Sequence, residues 1–283
     1  QHQNGNVLQR WSERVSTFAR IRNRFDVFHF NFGSSLFNAQ SGKLVLADLP
    51  LYPGKALKIM TYQGSDARHS YGEYFQESLA EEYRLGNGEV VDAFMASHKK
   101  MLPVRQAAIE KASRYCDHLF ALNPDLLDEI PSKRKSFLPF AINDVGSLRD
   151  ATSIENFKAP AKVHIVHLST NRLLKGTGLI ENVLKKLSKD LPITFEILFR
   201  EERSKALQAI QRADLVIDQL VLGWYGAAAV EAMYFGKPVI GYIDEKQLVQ
   251  VPTEMAQELP IIQATTNTLE ETISDMINDS ETL

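Results

Sequence analysis

The second half of the chain alternates short apolar runs with amphipathic stretches, which is the pattern of parallel strands and the helices that cover them. The apolar runs predict strands at residues 163–168, 193–198, 215–218, 238–242 and 261–263. The intervening stretches predict helices at residues 177–187, 202–212 and 269–278, a helix that starts after residue 226 and a helical turn near 252–258. We therefore expect βαβ units with right-handed crossovers and a parallel sheet.

The first half follows this pattern less regularly. Helices are predicted within residues 1–24 and at 98–115, and strands at 25–32, 58–62 and 117–122. His29 and Asn31 share one face of the first strand, where they either look into a cleft or are satisfied inside the sheet. The second alternative is favoured. A charged helix face is predicted from four glutamates: Glu73, Glu77, Glu81 and Glu82.

Composition narrows the class of protein. The 283 residues are 44% hydrophobic and 24% charged, which is enough for two domains with ordinary cores, and the net charge of −3 gives no electrostatic basis for nucleic-acid binding. The single cysteine, Cys116, cannot form an internal disulfide and favours a reducing compartment, the cytoplasm. No apolar run approaches the ~18 residues of a membrane span. The basic helix at 98–115 leaves peripheral membrane contact as an alternative to a solvated face.

The loop after the second predicted strand carries groups that donate and accept protons. It runs from Gln63 to His69 and includes Asp66 and Arg68. Ligands of open α/β sheets bind outside the carboxyl ends of the strands, so Asp66, Arg68 and His69 are candidate site residues. The alternative is a turn or helix start capped by the aspartate.

Residues 167–177, HLSTNRLLKGT, predict an anion site. Arg172 and Lys175 lie in the predicted loop after a strand, and both side chains suit a phosphate. Gly176 allows the backbone to approach a ligand closely. The segment is not a P-loop, and no G-x-G-x-x-G occurs in the chain. The alternative is that both cations are merely solvated.

Residues 213–240 predict a second anion site. A buried strand leads through a turn to a helix start of small residues, Gly226, Ala227, Ala228 and Ala229. Such a start exposes unpaired N–H groups and lets a phosphate approach them, although small residues would equally serve close packing on the sheet. Two anion sites in one parallel sheet together suggest a bound diphosphate. Glu231, further along the helix, suits a ribose because a carboxylate accepts hydrogen bonds from two hydroxyls.

These two segments carry a family resemblance. A strand is followed by Arg-x-x-Lys-Gly and a helix, and later come Ala-Asp, an apolar run, Tyr-Gly and Val-Glu-Ala-Met-x-x-Gly-Lys-Pro-Val-Ile. This order resembles the group 1 nucleotide-sugar glycosyltransferases of GT-B fold. The resemblance is specific over residues 163–243 and weaker over 25–143, where YQGSDARH is similar to the family's loop that faces the donor sugar.

The resemblance implies an α/β fold with two Rossmann-type domains whose parallel sheets face each other across a cleft. Residues 1–145 would form the acceptor-side domain, 146–161 a linker and 162–283 the nucleotide-sugar-binding domain. The family's first strand and its final helix are missing, so the N-terminal domain is expected to be incomplete. The implied function is transfer of a sugar from a UDP- or GDP-sugar to a glycan, lipid or small molecule, with retention and without a metal or other cofactor.

The resemblance also assigns residues. Arg172 and Lys175 match the pair that neutralises the donor diphosphate, Glu231 matches the ribose-binding carboxylate, and Asp66 is the candidate catalytic residue. The start of the helix after residue 225 matches the part that holds the distal phosphate, through Gly226, Ala227 and Ala228. Five further residues are expected on the donor-sugar side: Gln63, Gly64, Ser65, Gly223 and Tyr225.

Tyr225, together with Trp224, fills a turn that the family usually writes Gly-Phe, and two further positions also depart from the family pattern. Gly223 stands where the family usually has a second glutamate, and Gln63 replaces a histidine. Both departures concern the sugar and the reacting centre rather than the diphosphate. The alternative function is therefore a non-catalytic nucleotide- or glycan-binding partner subunit with the same fold.

Overall fold

The computed structural model describes residues 7–37, 44–142 and 162–278. The described chain forms two compact units. The first unit comprises the described residues of Gln1–His69 and Met95–Pro139, and the second those of Ser70–Phe94 and Phe140–Leu283. Residues 70–94, which the sequence-based boundaries put in the N-terminal domain, thus pack in the second unit. The predicted linker at 146–161 lies outside the described residues.

The order of elements is largely that of an alternating α/β chain. The strands are β1 (Val27–Asn31), β2 (Leu57–Tyr62), β3 (His118–Ala121), β4 (Lys135–Phe137), β5 (Val163–Ser169), β6 (Ile193–Phe199), β7 (Leu215–Ile217), β8 (Val239–Gly241) and β9 (Ile262–Gln263). The helices are α1 (Val7–Ile21), α2 (Phe75–Arg84), α3 (Gly88–Tyr115), α4 (Asp125–Glu129), α5 (Arg172–Lys175), α6 (Thr177–Leu187), α7 (Arg203–Arg212), α8 (Ala227–Tyr234), α9 (Glu245–Leu248), α10 (Thr253–Gln257) and α11 (Leu269–Asn278), with a 3-10 turn at Leu49–Leu51.

The first unit is built on a parallel sheet with the strand order β1-β2-β3-β4. Phe28 and Phe30 of β1 are buried, whereas His29 and Asn31 are exposed. The favoured expectation was that these two polar residues are satisfied inside the sheet, and it was wrong about their burial but correct about their hydrogen bonds. Both stand on the exposed face, where His29 Nε2 is hydrogen-bonded to Thr61 Oγ1 at 2.7 Å and Asn31 Oδ1 accepts from Gln63 Nε2 at 2.8 Å.

The second unit is built on a parallel sheet with the strand order β6-β5-β7-β8-β9. Its five strands confirm the five apolar runs, and α6 and α11 begin and end at the predicted residues. The core forms where Ile165, Ile217 and Ile240 of the sheet meet Ile180 and Leu184 of α6. Because both faces of this sheet are buried, its strands are continuous apolar runs in the sequence.

Helix α2 joins the second unit through an apolar contact with α5 and the turn after β7. Phe75 and Leu79 pack with Leu173, Leu174 and Val221. This packing buries the inner side of α2, so the predicted charged face is only partly solvated. Glu81 is 5% exposed and Glu82 is 1% exposed. Buried carboxylates require partners, and those of Glu82 lie in the candidate site.

Candidate functional site

The strand order of the second unit has one reversal among its described strands. The chain passes from β5 to β6 on one side and then returns to place β7 on the other side of β5. In open α/β sheets ligands bind at such a reversal, outside the carboxyl ends of the strands. The segments that follow β5 and β7 are the two segments for which the sequence predicts anion binding. The tertiary structure therefore brings the two predicted anion sites to one place.

Arg172 and Lys175 lie on a helical turn, not in the predicted loop. Asn171 starts this turn because its side-chain oxygen accepts hydrogen bonds from the N–H groups of Leu173 and Leu174, at 3.1 and 3.2 Å. Gly176 ends it with φ of +73°, a left-handed conformation that favours glycine. The sequence Asn-x-x-x-x-Gly thus closes one turn of helix and holds both cations on it.

Lys175 is paired with a carboxylate that connects the two segments. Its ammonium donates to Asp218 Oδ1, and Asp218 Oδ2 accepts from the N–H of Gly226 at 2.5 Å. Asp218 follows β7 directly and is 1% exposed. The backbone adds a further link, because Leu220 N donates to Lys175 O at 3.3 Å. The segments after β5 and β7 are therefore joined by charge and by backbone contact.

Arg172 has two carboxylate partners within the second unit. Its Nε donates to Glu82 at 3.2 and 3.3 Å, and its Nη2 donates to Glu181 Oε2 at 3.0 Å. Burial alone would lower the pKa of Arg172, but Glu181 and Glu82 outweigh it and raise the pKa. Lys185 and Arg172 in turn lower the pKa of Glu181. The guanidinium thus links α2, α5 and α6.

His167 is a fully buried neutral imidazole at the end of β5. Its Nδ1 lies 2.8 Å from the carbonyl of Ile217, which can only accept, so Nδ1 carries the hydrogen. Nε2 therefore accepts from the Thr177 hydroxyl at 2.9 Å. Burial lowers the pKa of His167 to about 4, and the charges of Lys175 and Arg172 act in the same direction. This bond pattern fixes the start of α6 against β5 and β7.

Helix α8 presents its start to solvent. Gly226 is its N-cap, Ala227 is exposed and Ala228 is half-buried. The first N–H groups of a helix have no acceptor within the helix and carry a partial positive charge. Glu231, one turn further on, accepts from Arg203 Nε and Nη2 at 3.2 and 2.9 Å. The carboxylate that the sequence predicts for a ribose is therefore paired, in this structure, with a half-exposed arginine.

The turn before α8 explains one departure from the family pattern. Gly223 has φ of +69°, and a Cβ there would come within 2.9 Å of Asp244 Cβ. A glutamate at this position would meet both a strained backbone and a steric clash. Tyr225, nearby, is buried, and burial raises its pKa to about 12.

In the first unit, the loop after β2 is held by its own polar groups. Asp66 accepts from the N–H of Gly64 at 2.7 Å and from that of Gln63 at 3.0 and 3.1 Å, while Ser65 is exposed. Burial raises the pKa of Asp66, although the Gly64 and Gln63 N–H groups oppose this shift. Asp66 therefore caps the turn, which is the structural alternative that the sequence left open.

The other two candidates of this loop are also paired. The Arg68 guanidinium donates from Nε and Nη2 to Asp125 at 2.6 and 2.9 Å. His69 Nδ1 lies 2.7 Å from Glu129 Oε2. Both carboxylates belong to α4 of the same unit, so these contacts join the loop to its own unit.

Metal and membrane features can be described for residues 7–37, 44–142 and 162–278. Within these ranges, no three His, Cys, Asp or Glu side chains are grouped so that they could hold a metal ion. None of the helices described there has the length and apolar character that a membrane span requires.

Neither a protein-family model nor the sequence of a curated protein matches this chain. Several solved structures do match this chain. TarM of S. aureus (a point mutant in complex with fondaparinux, α-GlcNAc-glycerol and UDP) is 12% identical, with a TM-score of 0.50 over 86% of this chain and 50% of TarM. This chain thus spans half the length of TarM.

Two further structures agree. HepE of Anabaena with UDP and glucose is 13% identical, with a TM-score of 0.51 over 99% of this chain and 76% of HepE. Sucrose-phosphate synthase of Thermosynechococcus elongatus is 17% identical, with a TM-score of 0.50 over 95% of this chain and 69% of that enzyme. These structures are GT-B glycosyltransferases. The chain has the GT-B fold. At these identities the likeness concerns the fold, and the function rests on the site.

Sequence reasoning missed three residues of the site. Asp218 was read only as the last residue of a strand, although a charged residue that ends an apolar run is a detectable signal. Glu82 was predicted only as part of a charged helix face, and its partner Arg172 is 90 positions away, so no local signal marks the pair. Arg203 was read only as part of a helix, and its contact with Glu231 likewise depends on how α7 and α8 pack.

Proposed function

We propose that this protein is a glycosyltransferase that moves a sugar from a nucleoside diphosphate sugar to an acceptor hydroxyl. The observation that carries the proposal is the meeting of Lys175 with the open start of α8 at the reversal of the strand order. A cation and free N–H groups at that position suit a diphosphate. UDP is the first nucleotide to test, because the solved structures of TarM and HepE contain UDP.

Within this proposal each site residue has a task. Lys175 and the N–H groups of Ala227 and Ala228 bind the diphosphate. Arg172 uses Nε and Nη2 for its two glutamates, so its Nη1 is the group that we assign to the diphosphate. Glu231 exchanges Arg203 for the ribose hydroxyls. Asp66 keeps its predicted catalytic role at the donor sugar. Five residues keep the predicted role of lining the donor-sugar side: Gln63, Gly64, Ser65, Gly223 and Tyr225.

The proposed reaction needs stabilisation of a leaving diphosphate. The bond between the anomeric carbon and the diphosphate oxygen breaks, and its electron pair leaves with the nucleoside diphosphate. An acceptor hydroxyl oxygen forms the new bond to that carbon, and its proton passes to the released diphosphate. Donors already aimed at the departing phosphate lower the barrier most. We propose retention of configuration and independence of a metal for this step.

A non-catalytic binding subunit is the second candidate. Gly223 has no room for a carboxylate side chain, and the Asp66 carboxylate is engaged by two backbone N–H groups. Both observations favour a protein that binds the nucleotide or a glycan and does not turn it over. The two candidates share the nucleotide site and differ in the reacting centre.

The compartment proposed is the cytoplasm, and peripheral membrane contact is kept as a variant of it. Cys116 is a buried free thiol, and burial raises its pKa to about 12. A single cysteine that forms no internal disulfide is usual for proteins of reducing compartments. The acceptor class follows from the reaction test below.

Binding of UDP, GDP and ADP by isothermal titration tests the nucleotide site. Release of the nucleoside diphosphate from UDP- and GDP-sugars, with and without acceptors, tests catalysis. We expect the Arg172→Ala, Lys175→Ala double variant to lose binding and release. The matched control is Lys205→Met, which removes an exposed cation of α7 from the same unit. Equal activity of the double variant and the control would refute the assigned role, and binding without release would favour the second candidate.

A further inference from the structure

Asp218 is a buried charged residue of the site to which the proposed function assigns no task. Its carboxylate is 1% exposed and receives two donors, the ammonium of Lys175 and the N–H of Gly226. Burial of a carboxylate costs several kcal/mol unless such partners compensate it. The two partners belong to the two segments that we assign to the diphosphate. Asp218 therefore holds one donor of each segment in a fixed position.

The position of Lys175 needs this carboxylate. A Cβ on Gly226 would lie only 2.9 Å from Lys175 Nζ, so the ammonium sits directly at the start of α8. The start of a helix carries a partial positive charge and disfavours a cation. Asp218 supplies the negative charge that holds the ammonium there. Without it, a flexible lysine with four rotatable bonds would turn towards water.

The Asp218 carboxylate also determines which hydrogen-bond donors remain available to a ligand. Asp218 takes the N–H of Gly226 and one hydrogen of the ammonium. An ammonium has three hydrogens, so others remain for a ligand. The next N–H groups, those of Ala227 and Ala228, lie on the exposed start of α8. The remaining ammonium hydrogens and these two N–H groups are therefore the donors left for a ligand.

We propose that Asp218 is a positioning residue that holds Lys175 at the start of α8, so that the ammonium and the helix N–H groups bind one diphosphate together. This inference rests on the proposed nucleotide site. Asp218 acts through Lys175 and does not touch the ligand. Its removal must therefore cost diphosphate affinity only while Lys175 is present.

The variant Asp218→Asn distinguishes this positioning role from a carboxylate that only repels the phosphates of the ligand. The amide oxygen of asparagine can still accept from Gly226 N–H, but its NH2 group then faces the ammonium, and two donors repel. We expect the affinity for UDP to fall about tenfold while that for uridine stays the same. A carboxylate that merely repelled the phosphates would give the opposite result, tighter UDP binding in the variant.

A double-mutant cycle is the deciding measurement. The dissociation constants of UDP and uridine are measured for wild type, Asp218→Asn, Lys175→Met and the double variant. We expect the Asp218→Asn effect on the UDP-to-uridine ratio to disappear in the Lys175→Met background. The matched control is Asp214→Asn at the amino end of the same strand, where the carboxylate accepts from His164 N–H at 2.7 Å. It should leave the ratio unchanged.

A second variant covers the case in which Asp218→Asn does not fold. Gly226→Ala places a methyl group against Lys175 Nζ and leaves the carboxylate intact. It should weaken UDP binding relative to uridine in the presence of Lys175 and have no effect on this preference in Lys175→Met. Unchanged or tighter UDP binding in these variants, or effects that simply add to that of Lys175→Met, would overturn the inference alone. If wild type binds none of UDP, GDP or ADP, the proposed function falls as well.

Discussion

The strand-end loops of the two units look alike in the sequence and differ in the structure. The loop after β2 and the segments after β5 and β7 all bring charged residues to the carboxyl ends of parallel strands. In the first unit these side chains pair within the unit, Arg68 with Asp125 and His69 with Glu129. In the second unit Asp218 pairs with Lys175 beside a helix start that is open to solvent.

The strand order explains the difference. The described strands of the first sheet follow one another in chain order, so no reversal opens a crevice between neighbouring loops. The second sheet reverses between β5 and β7, and the segments that follow these two strands meet there through Lys175 and Asp218. Polar residues after a strand are therefore weak evidence for a site by themselves. The same residues at a reversal of the strand order are stronger evidence.

The largest expected effect comes from removing one cation in each region. Lys175→Met and Arg68→Met each leave a largely buried carboxylate without its cation, so each should lower the free energy of unfolding by about 3–5 kcal/mol. Only Lys175→Met should also weaken UDP binding. Urea unfolding and isothermal titration measure the two quantities. Loss of UDP binding in both variants would mean that the two regions do not differ in function.

The next largest effect is the pH dependence of the free energy of unfolding that the buried His167 causes. His167 stays neutral in the folded protein down to a pKa of about 4, whereas its ordinary pKa is 6.5. The unfolded chain therefore binds the proton first as the pH falls, and stability is lost between pH 6.5 and 4, by about 3 kcal/mol in total. Above pH 6.5 this contribution is fully present.

His167→Asn isolates this effect, because its side chain does not titrate in that range. The difference in unfolding free energy between wild type and the variant should shrink by about 2 kcal/mol from pH 7 to pH 5. Urea unfolding at several pH values measures it. A difference that stays constant with pH would contradict a neutral buried imidazole at the end of β5.

The smallest effect concerns the turn in the first unit. Asp66→Ala removes the acceptor of the Gln63 and Gly64 N–H groups and should cost about 1–2 kcal/mol of stability. Asp66→Asn keeps an acceptor oxygen and should cost less. Neither variant should change the affinity for UDP. Weaker UDP binding in Asp66→Asn would show that this loop affects the nucleotide site.

The same pair of variants sharpens the role of Asp66. If the predicted catalytic role holds, Asp66→Asn stays folded and binds UDP but loses sugar transfer. If Asp66 only caps the turn, Asp66→Asn transfers sugar at the wild-type rate. Transfer assays beside thermal unfolding distinguish these outcomes.

Much of the fold could be predicted from local pattern. The bounds of α6 and α11 agreed with the apolar periodicity, and the strands of the second sheet agreed within a few residues. Helix α3 begins at Gly88, well before the predicted residue 98. The contrast has a physical cause, because periodicity is clear where a face is apolar and weak where charged residues are interspersed.

The sequence by itself determined the elements of the second half and the residue types of an anion site, because both depend on neighbours a few positions apart. Only the tertiary structure decided how the charges pair. Glu82 meets Arg172 across 90 positions, and Asp218 meets Lys175 across 43. Burial removes water from these carboxylates, so each requires a cation that no local pattern identifies. That requirement makes Arg172 a link between helices and places Lys175 at the start of α8.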